Sequence, residues 1–230
     1  MKFRSGALIG NLSGSLGSVT ASHNRYGSHF RPRTIPINPD TQYQQTVKGN
    51  FGVVSGGWTA LAAANRAQWA TFAANNPVVD NLGQSQNLSA NAAYVMLNLR
   101  LKQCGVALIT APPVGAAPAG LTSLTLEADI GAGDVQVTYT ATPLAANDKL
   151  VIRATVVDTA SINFVKNKYK LVAYSATAQA SPFEFKDEIE ERFGSLIVGQ
   201  YVHVLVAVMS AVTGLISAPM SDSVIVTTTP

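Results

Sequence analysis

"TAPPVGAAPAG", Thr110 to Gly120, is where the chain changes its period. Its three prolines cannot sit inside a helix or a central strand, so the stretch reads as a linker over 110–120. Beyond it apolar residues recur at every second position. "DVQVTYTATP" sets Val135, Val137, Tyr139 and Ala141 against Gln136, Thr138, Thr140 and Thr142, the alternation of a half-buried strand. "KLVIRATVVD", "YKLVAYSATAQ", the stretch from Tyr201 and "SVIVTTT" alternate in the same way. About seven such strands, separated by turn signals, predict an antiparallel β-sandwich of immunoglobulin or fibronectin type III kind over 121–230. The acidic piece "FKDEIEERFGS" predicts a short helix inserted ahead of the last strands.

Ahead of the linker the period is 3.6. In "INPDTQYQQ", Asn38 is placed to cap a helix, Pro39 suits its first position, and Asp40 complements the positive end of the dipole. Tyr43, Val47, Phe51, Val54 and Trp58 then form one stripe, which Gly56 and Gly57 are expected to end. A second helix over Leu61 to Ala74 carries Leu61, Trp69, Phe72 and Ala73. A third, capped by Ser89, carries Ala90, Tyr94, Leu97, Leu101 and Cys104 and closes at Gly105. Residues 38–109 therefore read as a small three-helix region.

Residues 1–37 have few large apolar side chains and read as an extended basic arm, with one hairpin turning near Asn24 or Gly27. Such a segment needs a surface to lie on. The fold class that follows is α+β and multidomain: arm, helices, linker and sandwich.

The totals limit what the chain can do. Charged residues make up 13% and apolar residues 47%, about half the usual charged share, so much of its surface is expected to lie against something. The single Cys104 excludes an internal disulfide and a multi-cysteine metal site. Gly and Ser interrupt "MKFRSGALIGNLSG" before it becomes the hydrophobic region of a leader, and no cleaved signal is expected. "YVHVLVAVMSAVTGLISAPM", Tyr201 to Met220, has the length of a membrane span. Its β-branched alternation and the Thr213–Gly214 break instead predict two buried strands joined by a turn.

Charge is segregated along the chain. Residues 1–110 carry nine Lys/Arg against two Asp/Glu, and residues 111–230 carry seven against eleven. The two halves have opposite sign, which bears on partners.

No constellation proposes chemistry. His23, His29 and His203 fit no zinc or metalloprotease spacing. "GNLSG" lacks the strand–turn–helix setting of a nucleophile elbow, and "SGSLGS" lacks the Lys–Ser/Thr of a phosphate loop. Glu184, Asp187, Glu188, Glu190 and Glu191 lack the alternating ligands and Gly turn of a calcium loop and read as a solvated helix face. The expectation is no enzyme, no cofactor, no metal, no small-molecule substrate and no membrane.

What remains is the arm. "SHNRYGSHFRPR" brings together Arg25, Tyr26, His29, Phe30, Arg31 and Arg33, with Arg4 nearer the start. Arginine suits bidentate docking onto carboxylates and stacking on rings, so these seven residues are expected to form an interface with a protein partner, the acidic sandwich of another copy. Nucleic acid is the weaker alternative, because the acidic half would repel phosphate.

The succession "LSGSLGSVTASHNRYGSHFRPR", "PINPDTQYQQTVKGNF" and "WTALAAANRAQWATFA" resembles phage and prophage structural proteins. In these a Gly/Ser/Arg arm precedes an "NP.T..Q" helix start and a second helix with "R..W". It also resembles a Bacteroidota domain family of unknown function that ends in a similar sandwich. The matching positions are Arg31, Arg33, Asn38, Pro39, Thr41, Gln45, Phe51, Trp58, Arg66 and Trp69. The resemblance implies a non-enzymatic virion component (capsid decoration, neck or tail) in many copies, with itself and other virion proteins as partners. It implies no catalytic residues. The alternative is a secreted or surface-exposed bacterial protein whose sandwich binds carbohydrate or protein.

Overall fold

In a computed structural model, residues 2–3, 13–24, 27–35, 37–79, 84–142, 144–159, 162 and 164–228 are described. The chain is mixed α/β and divides into two units, residues 1–45 and 46–230.

The first unit differs from the expected extended arm. Strands β1 (Lys2–Phe3), β2 (Gly14–Leu16), β3 (Val19–Asn24) and β4 (Gly27–Pro32) form one antiparallel sheet in the order β1-β4-β3-β2. The expected hairpin is present, with Asn24 opposite Gly27. A second tight turn at Gly17, with φ +57, joins β2 to β3. Val19, Thr20 and Phe30 are the strand-favouring residues in strands otherwise rich in Gly, Ser and Ala.

Helix α1 (Gln42–Ala60) begins later than Asn38. Thr41 is the cap: its Oγ1 accepts from the Gln44 amide at 3.3 Å, and the Gln44 side chain accepts from the Thr41 amide at 3.4 Å. That reciprocal pair satisfies two orphan donors and outweighs the Asn-Pro signal. Nor does the helix stop at Gly56–Gly57; it runs on to Ala60. Gly57 serves packing instead, since a Cβ there would lie 2.6 Å from the Tyr94 hydroxyl. Only the far half of the α1 stripe is covered. Val54 is fully buried and Trp58 partly, whereas Tyr43, Val47 and Phe51 are about half exposed.

Helix α2 (Ala63–Asn75) and, after the short pair β5 (Val78–Val79) and β6 (Ser85–Gln86), helix α3 (Ala90–Gln103) complete a small core with Val54. Trp69 is central to it. Its ring meets Tyr94 edge-on at 5.4 Å, and its indole N–H donates to the Thr110 carbonyl at 2.9 Å. Ser89 caps α3 as expected, accepting from the Ala92 amide. At the other end Gly105, with φ +75, turns the chain while its own amide and that of Val106 bond back to Lys102 and Leu101, the Schellman pattern.

The seven strands beyond the linker form two sheets around one core. β7 (Ser123–Asp129), β8 (Asp134–Thr140) and β11 (Phe183–Glu184) pair in the order β11-β8-β7. β9 (Asp148–Val157), β10 (Lys170–Tyr174), β12 (Tyr201–Ser210) and β13 (Met220–Ile225) pair in the order β10-β9-β12-β13. Every pairing is antiparallel. Leu126, Val135, Val137 and Tyr139 from one sheet pack with Leu150, Ile152, Val202, Val204 and Val206 from the other. The hydroxyl oxygens of buried Ser175 and Ser217 accept from the Leu150 and Val208 amides, so strand ends inside the protein keep their hydrogen bonds. The acidic helix α4 (Lys186–Phe193) lies between β11 and β12 and buries Ile189. The Tyr201–Met220 stretch is one strand and a turn; its expected second strand is reduced to a single bridge between Met209 and Ile216. No helix among the described residues is long and apolar enough to cross a membrane.

Candidate functional site

The residues expected to act together are Arg4, Arg25, Tyr26, His29, Phe30, Arg31 and Arg33. Arg4, Arg25 and Tyr26 lie outside the described residues. Of the other four, His29 and Arg31 share one face of the sheet and Phe30 lies on the opposite one. Because side chains alternate across a strand, the β3/β4 register sends Phe30 to one face, with Ala21, while Arg31 shares the other with Thr20 and His29 with Ser22. Arg33 lies just past β4, exposed, its amide bonded to the Ser18 carbonyl at 2.7 Å.

The sheet thus has two unlike faces. On the first, Leu16 lies opposite Val19 and Gly14 opposite Ala21. These four residues and Phe30 line a concavity of about 440 Å³. Ala21 is the one buried hydrophobic residue among the described residues of this unit, and Leu16 remains 88% exposed. The second face is polar: Ser15 and Thr20 share a hydroxyl hydrogen bond at 2.8 Å, and exposed Arg31 stands beside Thr20 over a shallow cleft. Sequence reading found the basic residues but missed the apolar face, although the Leu16/Val19/Ala21 spacing across Gly17 carried its signal.

Elsewhere in the chain, α4 presents the opposite charge. Asp187 and Glu188 are exposed on its first turn, next to exposed Glu184 at the end of β11. Ile189 and Phe185 anchor this acidic edge to the sandwich core.

The described residues contain no cluster of three His, Cys, Asp or Glu able to hold a metal ion. Cys104 is a half-buried free thiol whose pKa burial pushes up, away from nucleophilic reactivity. His203, partly buried on β12, has its pKa pulled down by burial; it lies across from Thr155 and Ser223, with no carboxylate at either position.

No family model matches the chain, and no curated protein is similar to it. One solved structure similar to it is a Fn3-like protein from Clostridium thermocellum, 14% identical, covering 50% of this chain and 97% of that one, with a TM-score of 0.32.

Proposed function

We propose that this chain is a non-enzymatic structural protein of a bacteriophage virion, present in many copies and assembling through its N-terminal sheet. One observation carries the reading: a four-stranded sheet exposes Leu16 and Val19 on one face, beside a concavity that Phe30 also lines, and Ala21 is the one buried hydrophobic residue among the described residues of this unit. Such a sheet gains stability only when its apolar face is covered. Exposed Arg31, on the polar face of the sheet, and Arg33 just past β4 complement the exposed Glu184, Asp187 and Glu188 at α4, so one neighbouring copy meets the charge while a second covers the apolar face. A contact between unlike patches is heterologous and builds rings, lattices or filaments. The C-terminal sheets, four strands against three around one core, support the immunoglobulin or fibronectin type III kind of sandwich. That module is then displayed by the assembly, and localisation is the virion.

The separation of Phe30 from Arg31 weighs against nucleic acid, whose single strands need cations and stacking rings along one groove. The test is co-assembly of the full chain, a chain lacking residues 1–37, and Leu16→Asp. The reading expects both altered chains to be left out of particles and to sediment as smaller species. Incorporation of either at the unaltered level sinks it.

A further inference from the structure

A second site lies in residues 46–230 and is independent of the assembly reading. Arg153 lies on β9 between buried Ile152 and Ala154, so its own side chain leaves the opposite face of the sheet, flanked by Leu171 on β10 and Leu205 on β12. Arg100 comes from α3. It reaches the turn after β12, where its Nη1 donates to the Gly214 carbonyl at 3.2 Å. The helix can come this close only because Gly214 has no side chain: a Cβ there would stand 2.7 Å from the Leu97 carbonyl oxygen.

The two guanidiniums border a pair of cavities. One, of about 220 Å³, is also lined by Gln103, Tyr169, Tyr174 and Met209. The other, of about 160 Å³, shares Arg100, Val151, Arg153 and Ile216 and extends to Ser217 and Pro219. Among the described residues no carboxylate lines either cavity. Burial, and then the like charge of Arg153, pulls the pKa of Arg100 down, the sign of a cationic pair short of a counter-charge. The Tyr174 hydroxyl donates to Gln103 at 3.2 Å, and burial pushes its pKa up to about 12. It therefore remains a neutral donor.

We propose that this cleft binds a small organic carboxylate with an apolar body. The guanidinium fork of Arg153 matches the two oxygens of a carboxylate. Val151, Leu171, Met209 and Ile216 supply the apolar wall for a carbon skeleton. A volume of about 220 Å³ equals roughly seven water molecules at ~30 Å³ each, the size of a single-ring acid rather than of a polymer. A bare inorganic anion would meet the arginines and leave that wall uncovered.

The experiment is calorimetric titration of the full chain with benzoate, benzamide and inorganic phosphate, repeated on Arg153→Gln. Arg153 stands exposed on its strand, so the substitution leaves the core intact, and an unchanged urea midpoint verifies it. Benzoate is expected to saturate at millimolar concentration or below, with benzamide and phosphate at least tenfold weaker. Arg153→Gln is expected to weaken benzoate at least tenfold. Benzamide equal to benzoate, phosphate equal to benzoate, no saturable benzoate binding, or binding unaffected by Arg153→Gln each overturns the proposal.

Discussion

Replacing Gly214 by alanine tests how the helices and the sandwich are joined. Two costs apply. The backbone has φ +71, where an L side chain is disfavoured by about 1–2 kcal/mol. The new Cβ would also lie 2.7 Å from the Leu97 carbonyl oxygen and 3.3 Å from Leu101 Cγ. The oxygen belongs to the α3 backbone, which cannot swing aside like a side-chain tip, so overpacking adds about 1–3 kcal/mol. The expected loss is roughly 2–4 kcal/mol after the small gain from a less flexible unfolded chain. Gly105→Ala is the control. It has nearly the same φ, +75, yet nothing lies within 4 Å of its added Cβ, so it incurs only the backbone cost. Urea unfolding followed by tryptophan fluorescence measures both, since Trp58 and Trp69 pack in the helical core next to α3. The difference between the variants isolates the close approach. Equal losses in the two would refute the contact between Gly214 and α3, and with it the placement of Arg100 at the cleft.

Asn98 is fully buried and fastens the chain after α3: its side chain donates to the Tyr94 and Ile109 carbonyls and accepts from the Ile109 amide at 2.7 Å. Asn98→Ala removes these bonds and is expected to cost about 2–4 kcal/mol in urea unfolding. His203, its pKa lowered by burial, binds protons more weakly folded than unfolded, so stability is full above the ordinary value near 6.5 and falls as pH drops from there through the folded pKa. His203→Gln is expected to remove that part of the slope from unfolding curves taken from neutral pH down through the folded pKa of the imidazole.

Where sequence reading succeeded, short-range pattern and packing agreed. Ser89 and Gly105 bound α3 as capping chemistry demands, and the alternation of Val135, Val137 and Tyr139 became a buried strand face. Where it missed, a local rule met a stronger partner. Asn38-Pro39 is a sound helix start, but Thr41 and Gln44 satisfy each other and move the boundary. Gly56-Gly57 reads as a stop, but the helix is carried through it by the packing of Val54 and Trp58, and Gly57 admits the Tyr94 hydroxyl. The basic cluster of the first unit was legible as composition. Its partition between faces was not, because strand register assigns Phe30 and Arg31 to opposite sides.

The order of helices, linker and strands, the capping of α3 and the core-facing residues of β8 and β12 follow from the sequence itself, because periodicity and capping act over a few residues. The Arg100, Arg153 and Tyr174 cleft does not. Its residues come from α3, β9 and β10; strand pairing sets Arg153 near Tyr174, and only the approach of α3 to the glycine turn after β12 brings Arg100 to the same cavity. No spacing along the chain encodes a distance set by how separate elements pack.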